Sequence, residues 1–236
     1  MFFRRKLRHG HHIDPGFRKC EGPYYIETLQ TISKEIQPEW YLEIGTRDGR
    51  SLRAMNSNFI AVDPKFVISK NTLNAATQFF FFQETSDAFF QRGFMRLNNI
   101  RPDLAFIDGM HLFEFVLRDF INTEKAMDPG GAICLHDVLP FNADMTTRDI
   151  DYLEKLELPW TGDVWKILPV LKKYRPDLEI TIFDSRPTGL GVVRNLDPES
   201  RVLSEYYDEI VRDFTGLEIS SFGIEEYYSL YGITSM

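Results

Sequence analysis

Apolar and polar positions along this chain follow two alternating periods. From Tyr24 to Ile36 the apolar residues Ile26, Leu29, Ile32 and Ile36 recur at helical spacing. That predicts an amphipathic helix, which Pro38 stops. Trp40-Tyr-Leu-Glu43-Ile-Gly45-Thr-Arg-Asp-Gly49 is an apolar run with one acidic residue, closed by two glycines. It reads as a buried strand ending in a tight loop, and Arg50 to Met55 can start a helix after it. Phe59 to Pro64 is a second apolar strand with Asp63 at its end, and Gln78 to Gln83 is a short aromatic run that reads as a buried third strand. Pro102 to His111 holds the fourth strand and its exit, Phe113 to Met127 a helix with Phe113, Val116, Leu117, Phe120 and Ile121 on one face, and Ala132 to Val138 the fifth strand after the turn Pro129-Gly130-Gly131.

Strands alternating with helices predict an α/β, Rossmann-like, doubly wound parallel sheet. Pro140 to Gly162 interrupts the alternation and carries Asp144, Arg148, Asp149, Asp151 and Trp160; it reads as an insertion that covers a substrate or merely packs. Asp163 to Tyr174 is the next helix, with Pro169 in its first turn or at a kink. Leu178 to Phe183 and Gly189 to Val193 pair as a hairpin, Val202 to Phe214 is helical, and the tail from Phe222 to Tyr231 is rich in tyrosine.

Ligands of such sheets bind beyond the carboxyl ends of the strands. Glu43, Asp63, Ser86, Asp108, His111, His136 and Asp137 all fall at those ends. Gly45 and Gly49 let a ligand approach the backbone. The loop is E-x-G-x-x-x-G rather than the G-x-G-x-x-G of a pyrophosphate site. A carboxylate before the loop repels a pyrophosphate and suits a cationic, amino-bearing ligand, while Asp63 suits ribose hydroxyls. Ser86 and Asp87 follow the third strand, where Thr85, Ser86 or Asp87 also serve as a helix cap. Asp108 and Asp137 at neighbouring strand ends can hold a hard divalent cation such as Mg²⁺, and His111 and His136 beside them are candidate bases.

Composition narrows the options. The 236 residues suffice for one α/β domain, and the net charge of −8 argues against general nucleic-acid binding. Cys20 and Cys134 are the two cysteines, too few for a disulfide framework, so a reducing, cytoplasmic compartment is expected. No apolar run reaches membrane-spanning length. The basic start, with Arg4, Arg5, Lys6, Arg8, His9, His11 and His12, reads as a frayed tail, an interaction arm, a lid or a histidine metal cluster.

Glu43-Ile-Gly45-Thr-Arg-Asp-Gly49 followed by Ala61-Val-Asp63 resembles motifs I and II of the class I S-adenosylmethionine-dependent methyltransferases. Phe106-Ile-Asp108-Gly109-Met-His111-Leu-Phe113 through Asp119 is similar to the F-I-D-G-x-H-x-Y-x-x-V-x-x-D segment of a small-molecule O-methyltransferase family related to macrocin O-methyltransferase and the cephalosporin-biosynthesis methyltransferases. Gly130 to Val138 is similar to its G-G-x-x-x-x-H-D-V motif. The resemblance implies a seven-stranded sheet, mostly parallel with one antiparallel strand near the C-terminus and helices on both faces. It implies a basic flexible arm over 1–22, a methyltransferase domain over 23–196 with an insertion at 140–162, and a helical extension over 197–236. It implies S-adenosylmethionine bound by Glu43, Gly45, Gly49, Asp63, Ser86, Asp87 and Asp108, the last three including the adenine-facing loop, with Mg²⁺ on Asp108 and Asp137. His111 lies where catechol-type enzymes place their catalytic lysine, with His136 the other candidate base. Val138 stands where those enzymes have a third ligand, Asn, and Phe113 replaces the usual Tyr.

The expected activity is methyl transfer to a hydroxyl of a small molecule, a sugar or a natural product. A non-catalytic binding or scaffold protein on the same fold is the alternative. An NAD-dependent oxidoreductase is a third, opposed by Glu43 and the missing third glycine. Homo-oligomerisation is left open.

Overall fold

A computed structural model describes residues 13–68, 78–152 and 159–235. The chain begins with α1 (Tyr25–Ile36), whose buried Thr28, Leu29 and Ile32 sit at helical spacing and whose C-cap Gln37 is left-handed, one residue before Pro38. β1 (Trp40–Ile44) follows, buried at all five positions, and β2 (Asn58–Val62) pairs parallel with it. The helix expected from Arg50 is only a 3₁₀ turn, Leu52–Ala54. The reason is length: residues 45–57 must supply both the glycine turn and the crossover, and the turn takes the first half. α1, from before β1, covers the face that a crossover helix would cover.

β3 (Phe79–Phe82) pairs parallel with β2 and ends the sheet. Phe80 and Phe82 point into the core, against Trp40, Phe94 and Phe89. Phe79 and Phe81 stay 42% and 37% exposed, so the run expected as a buried strand is an edge strand with one open face. α2 (Ser86–Arg92) and α3 (Phe94–Leu97) come next, broken at the left-handed Gly93. Thr85 is the N-cap, its hydroxyl accepting from Ala88 N. β4 (Leu104–Ile107), α4 (Phe113–Ala126) and β5 (Ala132–His136) complete the parallel part.

The expected insertion holds 3₁₀ turns at Ala143–Thr146 and Ile150–Tyr152. A further 3₁₀ turn, Val164–Lys166, leads into α5 (Ile167–Tyr174), where Pro169 sits in the first turn without a kink. β6 (Glu179–Phe183) and β7 (Leu190–Arg194) form the expected hairpin. β7 runs antiparallel to β5, which makes it the one reversed strand. The helix expected over Val202 to Phe214 is two, α6 (Val202–Glu205) and α7 (Tyr207–Phe214). α8 (Ile219–Phe222) and α9 (Ile224–Ser229) lead to β8 (Ile233–Thr234), which pairs parallel with β6. The sheet therefore has eight strands, β3-β2-β1-β4-β5-β7-β6-β8, one more than the seven expected. The residues just past the tyrosine-rich tail supply the extra one.

The two faces are covered unequally. On one, Leu42, Ile44, Ile60, Val62, Ile107 and Leu135 meet α2 to α5 and the C-terminal helices. On the other, Tyr41, Phe59, Ala61 and Phe106 meet, among the described residues, little more than α1 and the 3₁₀ turn. Within the expected N-terminal arm, residues 1–12 with their basic and histidine cluster lie outside the described residues. Asp14 accepts from Asn142 Nδ2 (2.9 Å) and Ala143 N (2.8 Å), and Arg18 lies over the Tyr228 ring. Among the described residues no helix is long and apolar enough to cross a membrane.

One buried ion pair ties the end of α5 to α4. Arg175, 2% exposed, donates from Nη1 to Glu124 (2.7 Å) and from Nη2 to Asp177 (2.7 Å). Removing one partner of a buried pair strands the other charge. Arg175→Ala should lower stability by about 3 kcal/mol, read from the denaturant midpoint, with the slope of the transition unchanged.

Candidate active site

The site is built where β1, β4 and β5 end. After β1 the chain turns at Gly45, which has a φ of 89°. A Cβ there would overlap the Asp108 carbonyl, so only glycine lets the loop lie against the exit of β4. Gly49 also has a positive φ and closes the turn by donating to Thr46 O (2.9 Å). The Asp63 carboxylate accepts from Arg47 N (2.8 Å) and Lys65 N (2.7 Å), holding the loops after β1 and β2 together. Glu43 is fully buried and accepts from the Tyr41 hydroxyl (2.6 Å). Burial pushes its carboxyl up to about 7, partly offset by the Ser51, Tyr41 and Thr46 hydroxyls. Glu43 therefore forms the floor of the crevice rather than an open wall.

Asp108 lies between two imidazoles. His111 Nε2 is 3.1 Å and His136 Nδ1 3.2 Å from its Oδ1. Asp137 faces the same rings, its Oδ2 3.2 Å from His111 Nδ1 and its Oδ1 3.4 Å from His136 Nδ1. Burial alone would raise the Asp108 carboxyl, but the His136 charge and hydrogen bonds from both histidines hold it well below the usual carboxylate range. Burial alone would lower His111, yet Asp137 and Asp108 push it up to about 9. The same two carboxylates raise His136 against its burial. Both His111 nitrogens then carry protons near neutrality; Nδ1–H also reaches Trp160 O (3.1 Å). One ligand atom each from Asp108, His111 and Asp137 lie within 4.8 Å of one another, a spacing that fits a divalent cation.

Asp137 has a φ of 61°, the left-handed region, immediately after β5. Aspartate is among the few non-glycine residues that enter this region readily. Two aromatic rings flank the cluster. Trp160 stacks on His111 with ring centres 5.1 Å apart, and Tyr25 lies 4.1 Å from His136. Gly162, with φ 53°, packs so tightly on the His111 carbonyl that a Cβ would overlap it. The Arg148 guanidinium binds Glu114 (2.8 Å) and Asp163 (2.6 Å), fixing the start of the insertion to α4.

The structure thus brings Asp108, His111, His136 and Asp137 into mutual contact and sets Gly45 against them. Ser86 and Asp87 sit apart from this cluster, at the start of α2. Asp87 is held by a two-pronged contact from Arg118 (3.0 and 2.9 Å). Tyr25 and Thr188 are the site residues that sequence reading missed. Tyr25 is one of several apolar-compatible residues in a helix outside the motifs. Thr188 lies in a loop far downstream, and its contact with Asp137 has no local signal.

The Glu43 carboxyl makes a pH prediction. Its folded pKa of about 7 stands above the ordinary 4.5, so the native state holds the proton longer than the unfolded chain. Stability should therefore fall as pH rises from about 4.5 to about 7. Glu43→Gln should raise the melting temperature relative to the parent protein at pH 8 and leave it nearly unchanged at pH 4.

Residues 42–138 match the family model for a methyltransferase domain. A search of curated proteins finds no match to this sequence. Among solved structures, the chain is similar to a Klebsiella pneumoniae protein described as an O-methyltransferase, at 16% identity and TM-score 0.52 over 72% of this chain and 79% of that one. It is similar to cofactor-bound Rv0187 from MTB, at 15% identity and TM-score 0.53 over 75% and 80% of the two chains. It is also similar to a Staphylococcus aureus protein described as a caffeoyl-CoA O-methyltransferase, at 14% identity and TM-score 0.52 over 72% and 81%. Residues 42–138 thus match a methyltransferase domain in sequence, and about three quarters of the chain shares the fold of the O-methyltransferases it resembles in structure.

Proposed function

We propose that this protein is an S-adenosylmethionine-dependent O-methyltransferase acting on a hydroxyl of a small molecule, a sugar or a natural product. The observation that carries the reading is the cluster of two carboxylates and two imidazoles beside the Gly45 loop, at the strand ends of a fold shared with O-methyltransferases.

The residues fit the cofactor. Gly45 lets the loop after β1 lie against the exit of β4, and Glu43, whose buried Oε1 has no hydrogen-bond partner among the described residues, and Asp63 would offer carboxylates for an ammonium and for ribose hydroxyls. S-adenosylmethionine, when bound, supplies the electrophilic sulfonium methyl. With that cofactor held there, its methyl would pass to the acceptor oxygen and the carbon–sulfur electron pair would stay on sulfur. His111 would act in its neutral form, its Nε2 proton released to solvent and Nδ1–H still donated to Trp160 O, and would take the proton of the acceptor hydroxyl at Nε2. Asp108 and Asp137 also fit a divalent cation such as Mg²⁺, which would supply positive charge favouring ionisation of that hydroxyl. Trp160 and Tyr25 exclude water from two sides of the cluster.

A second reading rests on the close spacing of Asp108, His111 and Asp137, which makes His111 a third metal ligand. His136, whose buried Nε2 has no hydrogen-bond partner among the described residues, is then the remaining imidazole for proton transfer.

Thermal unfolding tests the cofactor. S-adenosylmethionine or S-adenosylhomocysteine at about a hundred times its dissociation constant should stabilise by roughly 2.7 kcal/mol, several degrees in melting temperature, while NAD gives no shift. No shift with either sulfur compound would remove the assignment. His111→Gln separates the two readings. As base, it should lose about 10² to 10⁴ in turnover with Mn²⁺ affinity kept. As ligand, it should lose Mn²⁺ affinity as well, measured by calorimetry.

A further inference from the structure

Asp137 is held by contacts from outside its own strand. Its backbone lies in the left-handed region, and its carboxylate is buried against two rings that could turn away from it. The restraints come from the loop between β6 and β7, outside the segment that matches the methyltransferase domain. The Thr188 hydroxyl, fully buried, donates to Asp137 Oδ1. That leaves Oδ2 as the oxygen facing His111. The Thr188 carbonyl accepts from Leu139 N (2.7 Å), two residues past Asp137, so one threonine grips both the side chain and the backbone of the turn. Next to it Gly189, with φ 78°, packs against the Leu139 side chain where a Cβ would collide. From the opposite side, the Tyr227 hydroxyl donates to Val138 O (2.5 Å).

The same loop reaches the other wall of the site. Tyr25 N donates to Arg186 O (2.9 Å), Arg186 N to Pro23 O (2.8 Å), and the Ser185 and Thr28 hydroxyls are 2.7 Å apart. The start of α1, which lays Tyr25 over His136, and the turn that carries Asp137 are therefore fastened to one five-residue span, 184–188.

We propose that Thr188 is a positioning residue whose hydroxyl fixes the Asp137 carboxylate rotamer, so that Oδ2 faces His111 and, with Asp108, is presented to an incoming divalent cation. The metal half of this inference rests on the proposed function; the geometric half does not. A strained backbone is kept where its surroundings over-determine it, and Thr188 supplies the contact that no other described side chain makes to Asp137 Oδ1 except His136. Valine has nearly the same shape as threonine without the hydroxyl, whereas serine keeps the hydroxyl and loses only a methyl.

The test compares crystal structures and Mn²⁺ binding of the parent protein, Thr188→Val and Thr188→Ser. In Thr188→Val the Asp137 carboxylate is expected to rotate so that Oδ2 leaves hydrogen-bond distance of His111 Nδ1, and in Thr188→Ser it is expected to stay. Mn²⁺ affinity, read by calorimetry, should fall about tenfold to a hundredfold in the valine variant and recover in the serine variant. An unmoved Asp137 in Thr188→Val overturns the proposal, as does equal displacement in both variants, which would mark a packing role. Absence of Mn²⁺ binding in the parent protein would sink the metal reading alone, because the rotamer comparison still decides the role of Thr188. If Thr188→Val does not fold, Thr188→Ala in the same crystallographic comparison takes its place.

Discussion

The site depends on the need of a buried carboxylate for partners. Asp108 ends the central parallel strands with two imidazoles on one oxygen, and Asp137 meets the same rings from the neighbouring strand. Two anions this close repel each other and lose their hydration, which is tolerable only if positive charge or donated protons sit between them. Here imidazole protons do that work, and a divalent cation offers the same neutralisation in a smaller volume. Much of the surrounding structure serves this balance. Gly45 lets the first loop lie against Asp108, Gly162 lets the insertion lie against His111, and the Trp160 carbonyl accepts a hydrogen bond from the His111 ring.

Much of this was legible in the chain because its physics is local. Apolar runs closed by glycine, proline or acidic residues mark β1, β2, β4 and β5, and the rule that ligands gather at their carboxyl ends selects Asp108, His111, His136 and Asp137. The helical spacing of Leu29 and Ile32 gives α1 to within a residue. What escaped the sequence was non-local. Nothing in Arg50 to Met55 says that α1 replaces the crossover helix, and nothing in the four phenylalanines says that they form the last strand of the sheet among the described residues. Thr188 meets Asp137 only after the chain has passed through the insertion, α5 and β6. Leu52 to Ala54 fails as a helix for reasons of length and competition, since neither glycine nor proline interrupts it.

Segments before and after the matched domain pack onto the two faces unequally. The thick side receives α2 to α5, and Tyr227 and Phe222 close over Trp165 there. The thin side relies on α1, held through the 184–188 span. The segment that matches a methyltransferase domain is thus framed by pieces from before and after it, and these pieces complete the site's walls.

The phenylalanine strand has a consequence of its own. Among the described residues, β3 closes the sheet, with two half-open phenyl rings along its outer edge. Such an edge is a template for another extended chain. Partial opening of this region would lay bare four consecutive phenylalanines, an uncharged segment of high β-propensity. Aggregation at high concentration or near the unfolding temperature is therefore expected to start at this border.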